Sequence, residues 1–561
     1  LGPAGMPPPG LGVRRPALPR SRMTRPGVDA AGLPLPMAPS HAAAVPPPEG
    51  LGPAPVPQAF RRARVIRSAK DAKEQLAELK PLELGADGSA GAQASCVYVV
   101  PSSCDSKPFL GFGGSFTEAS AVVLQRMSEE RQEEVLRAYF DPEGGIGYCM
   151  GRIPIASCDF GLGNWTCGDL AEGDLKLSGF NLERYEPAIL PLLKRAMAMR
   201  GGPLRLLASP WSPVPWMKTK RQFNGDGHLK PECAASWALH FAKFIRAMEE
   251  YDVGIWAVSV QNEPEAAQTW ESCIYTAEEE KVFVRDHLGP TLQREGLGSV
   301  KILVWDHNRD GMFERAAVAY SDPEAAKYIW GVGYHWYGDA RFEVWPRRSE
   351  VPYEDRQRAF LPLVELKARN GFENVRRVAE LRPDKHILFT EGCQELGGRP
   401  LNKVLGMWKF GERYGMNIIA DLNSGTEGWI DWNLYLDETG GPNHVGNLCV
   451  APIICDTQSD KVLYQPAFWY LAHFSKYIKP GARRVLSGSS RDVLEVVSFL
   501  NPDGSLAVVV MNQSADKVNF WFKLPIGAAK TAAPPRSITT FVVDDGHEGV
   551  AGPSPRQASR L

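Results

Sequence analysis

From about Ala63 onward the chain repeats one pattern: a short apolar run, a cluster of polar and aromatic residues, then a stretch with helical spacing. The runs are Phe109 to Thr117, Gly147 to Asp159, Leu204 to Ser212, Gly254 to Glu263, Val300 to Asn308, Trp330 to Tyr337, His386 to Glu391 and Gly428 to Asn433. Helical spacing fills 122–140, 236–250 and 277–288 between them. Runs that are apolar throughout, rather than alternating, predict strands buried on both faces, as in a parallel sheet covered by helices. Eight such units predict an α/β fold, a (β/α)8 TIM barrel spanning 109–478. A doubly wound sheet would leave a similar pattern.

The flanks differ from this centre. Residues 479–545 carry shorter runs, at 484–486, 493–500, 506–512, 518–524 and 537–543, separated by turn signals such as Asn501-Pro502-Asp503-Gly504. They predict a small antiparallel β domain. Ser95 to Val100, within an N-terminal segment 61–108, reads as a further strand, so the β domain is expected to draw on both flanks of the barrel. The first 60 residues are a proline-rich leader: 16 of the 46 prolines fall before residue 59. Such a segment cannot bury a core and is expected to be disordered. Its five arginines ahead of Asp29 leave two readings open, a targeting segment or a plain linker. Residues 546–561 read as a frayed tail.

Composition narrows the function. Sixty-three Lys and Arg against 65 Asp and Glu give a net charge of -2, which argues against a nucleic-acid binder. No apolar run reaches the length of a membrane span, about 18 residues. Ten cysteines without a C-x-x-C pair predict buried thiols with one or two bridges at most, and no zinc ribbon. Asn164-Trp165-Thr166 and Asn512-Gln513-Ser514 match the glycosylation pattern, which matters only in a secreted chain. G-x-S-x-G, H-E-x-x-H and phosphate-loop motifs are absent from the sequence, so no metal and no cofactor are expected.

In a parallel barrel the strand ends share one mouth, and chemistry collects there. The ends predicted here bring together Asp159, Trp211, Asn262, Glu263, His307, Asn308, His335, Trp336, Tyr337, Glu391, Asp431, Trp432 and Asn433. Aromatic faces stack on sugar rings, amides and acids bind hydroxyls, and two carboxyls cleave a glycosidic bond. Glu263 ends IWAVSVQN and precedes Pro264, which cannot extend the ladder; Glu391 ends HILFT. Either acid alone reads equally well as a surface ion-pair partner. Two of them at one rim, among aromatics, point to carbohydrate hydrolysis.

At these residues the chain resembles glycoside hydrolase family 30, nearest its glucosylceramidase (acid β-glucosidase) branch. The resemblance rests on Gly111-Phe112-Gly113-Gly114, Arg152 to Phe160, Leu207 to Ser212, Asn262-Glu263-Pro264, His335-Trp336-Tyr337, Glu391-Gly392-Cys393, Trp429 to Asn433, Gly440 to Asn443 with Asn447, and Gln465-Pro466 leading to His473 through Lys476. It implies a barrel with an attached β-sandwich and a retaining mechanism on β-glycosides. Glu263 is then the general acid/base and Glu391 the nucleophile, with the charge of Glu391 expected to raise the pKa of Glu263. It further implies that Asp159, Trp211, Asn262, His335, Tyr337, Trp432 and Asn447 bind substrate or shape the mouth, supported by Arg152, His307 and Asn308.

A glucosylated lipid or other β-glycoside is the substrate so implied, with contact to a lipid surface or an activator protein, and a lysosomal or secreted location. β-1,6-Glucanase, β-xylosidase and β-fucosidase activities belong to the same family; a non-catalytic glycan-binding relative is the alternative of another class. Asp306-His307-Asn308-Arg309 and His444 depart from the animal lysosomal pattern, which has Asp-Asp-Gln-Arg and Trp. The loop after Glu263 is also shorter, so the aglycone is less firmly implied than the reaction.

Overall fold

The computed structural model describes residues 62–72, 74–85, 94–105, 107–337, 372–396 and 398–544. The leader 1–60 and tail 546–561 of the sequence reading lie outside them.

Eight parallel strands close into a barrel: Gly111–Ser115, Met150–Ile155, Arg205–Pro210, Ile255–Ser259, Lys301–Asn308, Ile329–His335, His386–Glu391 and Gly428–Asn433. Each falls within or overlaps a predicted run. The last returns to the first through the pairs Gly428↔Gly111 and Trp429↔Phe112, which excludes the doubly wound alternative. The strands are buried nearly throughout because helices cover their outer face and side chains fill the lumen. No helix among the described residues is long and apolar enough to cross a membrane.

Two helical predictions shift in detail. The stretch 122–140 is two helices, Glu118–Gln125 and Glu129–Phe140. Ser128 separates them because its side chain accepts from the backbone N–H of Arg131, capping a new helix instead of continuing the old one. The helix starting at Ala277 runs past the expected end at 288. It widens into one π turn at Val284–Leu288 and continues as Gly289–Arg294. That turn precedes Pro290, whose missing N–H and ring would otherwise conflict with the carbonyl four residues back.

The β domain is a sandwich assembled from both flanks. One sheet runs in the order Glu74–Glu83, Arg62–Ala69, Ser537–Asp544, Leu506–Asn512, Leu494–Leu500 and the first half of Arg483–Ser489. The second half of that strand passes to the other sheet, joining Cys96–Val100, Val518–Leu524 and Gly527–Ala533. All pairings are antiparallel except Cys96–Val100 with Val518–Leu524. Side chains from the two sheets meet in one core, where the rings of Phe522 and Phe541 stack 4.7 Å apart. Gly527–Ala533 (GAAKTAA) was not read as a strand, since it lacks the β-branched and aromatic residues that mark one.

A continuous apolar core joins barrel and sandwich, with Phe109 against Phe499 at 5.5 Å between ring centroids. Within it, His473 on helix Pro466–Ser475 bonds Thr540 Oγ1 at 2.9 Å and Ser68 Oγ at 3.0 Å, one partner from each flank of the chain. Burial holds its imidazole neutral, with the pKa pushed down to about 3. All ten cysteines are free thiols, eight of them buried. Asn512, one of the two glycosylation candidates, is buried, with Nδ2 bonded to the carbonyls of Asp516 and Pro534. An acceptor in that state is out of reach of a glycosylating enzyme once the chain has folded.

His473→Phe keeps the volume and removes both hydrogen bonds. It is expected to lower stability by about 1–3 kcal/mol, read as a fall in the urea midpoint; an unchanged midpoint would show that His473 does not tie the domains.

Candidate active site

The barrel lumen is layered. Met150, Leu207, Ala257, Leu303, Leu388 and Ile430 plug its lower part. Two residues further along four of these strands, on the same face, stand Arg152, Ser209, Ser259 and Thr390. An apolar floor therefore gives way to a polar layer just below the mouth. The fifth strand breaks the alternation: Trp305 and Asp306 have φ of 74° and 48°, and the register against the sixth strand slips between Trp305 and His307. This bulge turns the Trp305 ring outward onto Arg315, at 4.9 Å, and swings Asp306 into the lumen.

Asp306 is the hub. Its Oδ2 accepts from Arg152 Nη2 at 2.8 Å, Ser209 Oγ at 3.0 Å and Ser259 Oγ at 2.5 Å. Its Oδ1 accepts from Thr390 Oγ1 at 2.6 Å and lies 3.0 Å from His335 Nε2. Arg152, with none of its side chain exposed, spends its remaining donors on Ser209 Oγ, Asn262 Oδ1 and Glu391 Oε2. Tyr337 donates its hydroxyl to Glu391 Oε1 at 3.0 Å, and His335 Nδ1 is 3.2 Å from Glu263 Oε1. A closed chain thus runs from Glu263 through His335, Asp306 and Arg152 to Glu391. Glu263 itself has φ of 48°, a strained conformation for a non-glycine residue, worth about 1–3 kcal/mol, fixed by its N–H donating to the carbonyl of Asp306.

The electrostatics reverse one expectation. Burial alone would raise Glu263, but His307, His335 and Arg152 outweigh it and hold this carboxyl well below its ordinary value, to about 2. Sequence reasoning saw the like charge of Glu391 and not the imidazoles, which come from strands 44 and 72 residues further on. Glu391 is raised, chiefly by burial, against the pull of His335 and Arg152. For His335, burial opposes protonation, yet Glu391, Asp306 and Glu263 together lift it to about 9, so it is cationic at neutral pH. His307 is lowered, chiefly by burial, against the pull of Glu263.

The remaining side chains build a cup around these acids. The Trp211 and Trp432 rings stack 5.2 Å apart, with the Arg152 guanidinium 4.7 Å and 5.5 Å from their centroids. Asp159 Oδ2 accepts from Asn447 Nδ2 and Asn443 Nδ2, each at 3.1 Å. Burial, then the charge of Glu391, pushes Asp159 up to about 8. Asn308 Oδ1 accepts from the N–H of Tyr337 at 2.9 Å and sets that residue's place.

The twelve residues given roles by the resemblance thus lie at this mouth or in its immediate support. Asp431 is turned away from the other acids, accepting from Tyr414 at 3.0 Å. Not foreseen were Asp306 as hub and the serine and threonine ring around it; Asn443 and His444 were named from the sequence without a contact to Asp159. Alternation could have found Ser209, Ser259 and Thr390, each two positions beyond an inward apolar residue.

Comparison with known proteins agrees with this architecture. The Glycosyl hydrolase family 30 TIM-barrel domain matches residues 109–347 and 368–478, and the Glycosyl hydrolase family 30 beta sandwich domain matches 481–541. Lysosomal acid glucosylceramidase of Mus musculus is 36% identical over 443 residues, covering 77% of this chain and 80% of that protein. Endo-1,6-beta-D-glucanase of Neurospora crassa is 26% identical over 425 residues, covering 73% and 79%. Among solved structures, SrfJ from Salmonella typhimurium superposes with a TM-score of 0.75 at 33% identity, covering 86% of this chain and 99% of that one. Eight barrel strands, a sandwich drawn from both flanks and matches across both domains lead to one conclusion: the chain belongs to glycosyl hydrolase family 30.

Proposed function

We propose that the chain is a retaining β-glucosidase that hydrolyses glucosylceramide to glucose and ceramide by double displacement. The observation that carries the chemistry is the closed chain of contacts linking Glu263 to Glu391 through His335, Asp306 and Arg152. Retention needs two carboxyls about 5 Å apart on either side of the anomeric carbon, one to attack and one to manage the proton. Arg152 and Tyr337 hold Glu391 by both oxygens, which favours a carboxylate aimed at a fixed point. Arg152 fixes the oxygen of Asn262 and so turns its NH2 group to donate to the sugar hydroxyl beside the reacting carbon. The Trp211 and Trp432 faces and Asp159 would grip the rest of the ring.

Proton handling follows from the electrostatics. In the free site the proton shared by Glu263 and His335 resides on the imidazole, whose Nδ1 faces the Glu263 carboxylate. As the glycosidic bond breaks, negative charge grows on the aglycone oxygen and Glu263 passes a proton to it. Glu391 forms the ester bond to the anomeric carbon. Glu263 then takes a proton from water, whose oxygen displaces Glu391 and releases the sugar with overall retention.

The substrate follows the curated relatives that carry the glucosylceramidase name, the mouse protein among them. The expected lipid-surface or activator contact belongs to this reading. A second reading, hydrolysis of a soluble β-1,6-glucan, draws on a depression of about 380 Å³ where Asn164, Arg221, Gln222, Asn224, Thr269 and His444 stand beside Pro215, Phe223 and Val445. Its three amides and Thr269 can bind sugar hydroxyls, and Phe223 can lie against a sugar ring. His444 places it near Asp159, whose carbonyl accepts from the His444 N–H at 3.1 Å. Glucose release from glucosylceramide micelles, compared with reducing-end release from β-1,6-glucan, separates the two readings. Cleavage of the glucan alone would overturn the lipid assignment.

Glu391→Gln is expected to abolish turnover with an unchanged circular dichroism spectrum; normal hydrolysis would refute its role as nucleophile. Glu263→Gln is expected to lower kcat/KM for a substrate with an alkyl leaving group by about 10²–10⁴-fold and to spare kcat/KM for one with an activated aryl leaving group. Equal losses on both would contradict the acid role. The profile of kcat/KM against pH is expected to be a bell. Its acid limb lies above the ordinary glutamate value of 4.5, because Glu391 must be ionised and is raised. Its alkaline limb lies near 9, where His335 gives up the proton. His335→Gln should shift the alkaline limb, and an unmoved limb would exclude His335 as the proton store.

A further inference from the structure

Three metal-ligating side chains from three neighbouring strands converge on the acid side of the mouth. Glu263 Oε1 lies 3.2 Å from His335 Nδ1 and 3.6 Å from His307 Nδ1, and one donor atom from each residue falls within 4.8 Å of the others. A tetrahedral Zn²⁺ with nitrogen and oxygen ligands about 2.0–2.1 Å away spaces its donors about 3.3 Å apart. The two carboxylate-to-imidazole spacings found here are close to that figure.

The surroundings are those of a prepared site. His335 turns its other nitrogen, Nε2, to the Asp306 carboxylate at 3.0 Å, the outer-shell arrangement that orients metal-bound imidazoles. His307 Nδ1 is buried and has no hydrogen-bond partner among the described residues. Glu263 keeps Oε1 toward the two rings while Gln268 Nε2 sits 3.5 Å from its other oxygen. Three carboxylates, Glu263, Asp306 and Glu391, face two cations, Arg152 and the protonated His335, so the cluster keeps an excess of negative charge for a divalent cation to meet. Motif spacing gave no hint of such a site, because its donors sit on the ends of separate strands instead of one helix.

We propose that Glu263, His307 and His335 form a binding site for a borderline-soft divalent transition ion of the Zn²⁺ class, and that the bound ion reversibly inhibits hydrolysis. Two imidazole nitrogens and one carboxylate oxygen suit such an ion, whereas Mg²⁺ and Ca²⁺ prefer all-oxygen sets. Ligation expels to solvent the proton shared by His335 Nδ1 and Glu263 Oε1. The carboxylate that would protonate the aglycone is then occupied. The inhibition rests on the assignment of Glu263 as general acid; the binding does not.

The experiment is a titration of the purified chain with Co²⁺, followed by the visible bands of a four-coordinate ion. Hydrolysis of an alkyl β-glucoside is followed in parallel with Zn²⁺, with Mg²⁺ and with a chelator. Expected are intensified Co²⁺ bands, inhibition by Zn²⁺ reversed by the chelator, and no effect of Mg²⁺. His307→Asn and Glu263→Gln, checked for folding by near-ultraviolet circular dichroism, should each bind Co²⁺ at least about tenfold more weakly, since even outer-shell changes cost that much. Absent bands, or bands identical in the wild type and both variants, would overturn the site. Bands with undiminished turnover would overturn the inhibition. Bands in the wild type together with full turnover of an alkyl glucoside by Glu263→Gln would leave the site standing and remove the acid assignment.

Discussion

The ion pair between Arg152 and Asp306 is the interaction on which the mouth depends. Both side chains are wholly buried, and a lone charge at that depth would be prohibitively costly. Each is therefore surrounded by partners, and these partners are the groups placed for chemistry. Arg152 sets the position of Glu391 and the orientation of the Asn262 amide. Asp306 sets His335, and through its backbone carbonyl it holds Glu263 in a left-handed conformation. The serine and threonine ring satisfies the remaining lone pairs of Asp306. Losing either charge would disturb both glutamates together, because each takes part of its hold from this pair.

Much of the barrel is legible in the chain because strands buried on both faces must be apolar along their length, and because they end where polar residues resume. The rim residues follow from the same rule: Glu263 and Glu391 stand where the apolar run stops. Asp306 does not follow. Counting by twos from Leu303 puts Trp305 and His307 inward and Asp306 outward, and only the bulge at Trp305–Asp306 reverses that parity. A backbone irregularity of one residue leaves no mark in composition. Gly527–Ala533 was hidden for a different reason, since alanine and glycine carry little strand preference and the segment is held by its neighbour Val518–Leu524.

The reversed pKa of Glu263 shows a further boundary of sequence reasoning. Two carboxyls known to share a site suggest mutual repulsion, and the one that must carry a proton is expected to be raised. The imidazoles of His307 and His335 arrive from separate strands, and their combined effect depends on distances of a few ångströms that no spacing rule encodes. On the proposed mechanism the proton is stored on His335, so the acid function would belong to a pair of side chains and not to one.

The sandwich has a consequence for how the chain comes to be folded. Arg62–Ala69 lies between Glu74–Glu83 and Ser537–Asp544, so its register with the latter joins the first described strand to the last. Nearly all of the barrel is made between the two. On the ribosome the N-terminal strands emerge with one edge open and wait for the rest of the chain before that edge is covered. An exposed strand edge is a template for pairing with other chains, and a partner so distant in sequence adds its closure entropy late in assembly. Glu74–Glu83, with its acidic and exposed positions, shields only one side during this interval. Synthesis of the final strand is therefore the event that closes the molecule, and a chain stopped short of Ser537 would carry a formed barrel beside an unpaired, adhesive edge.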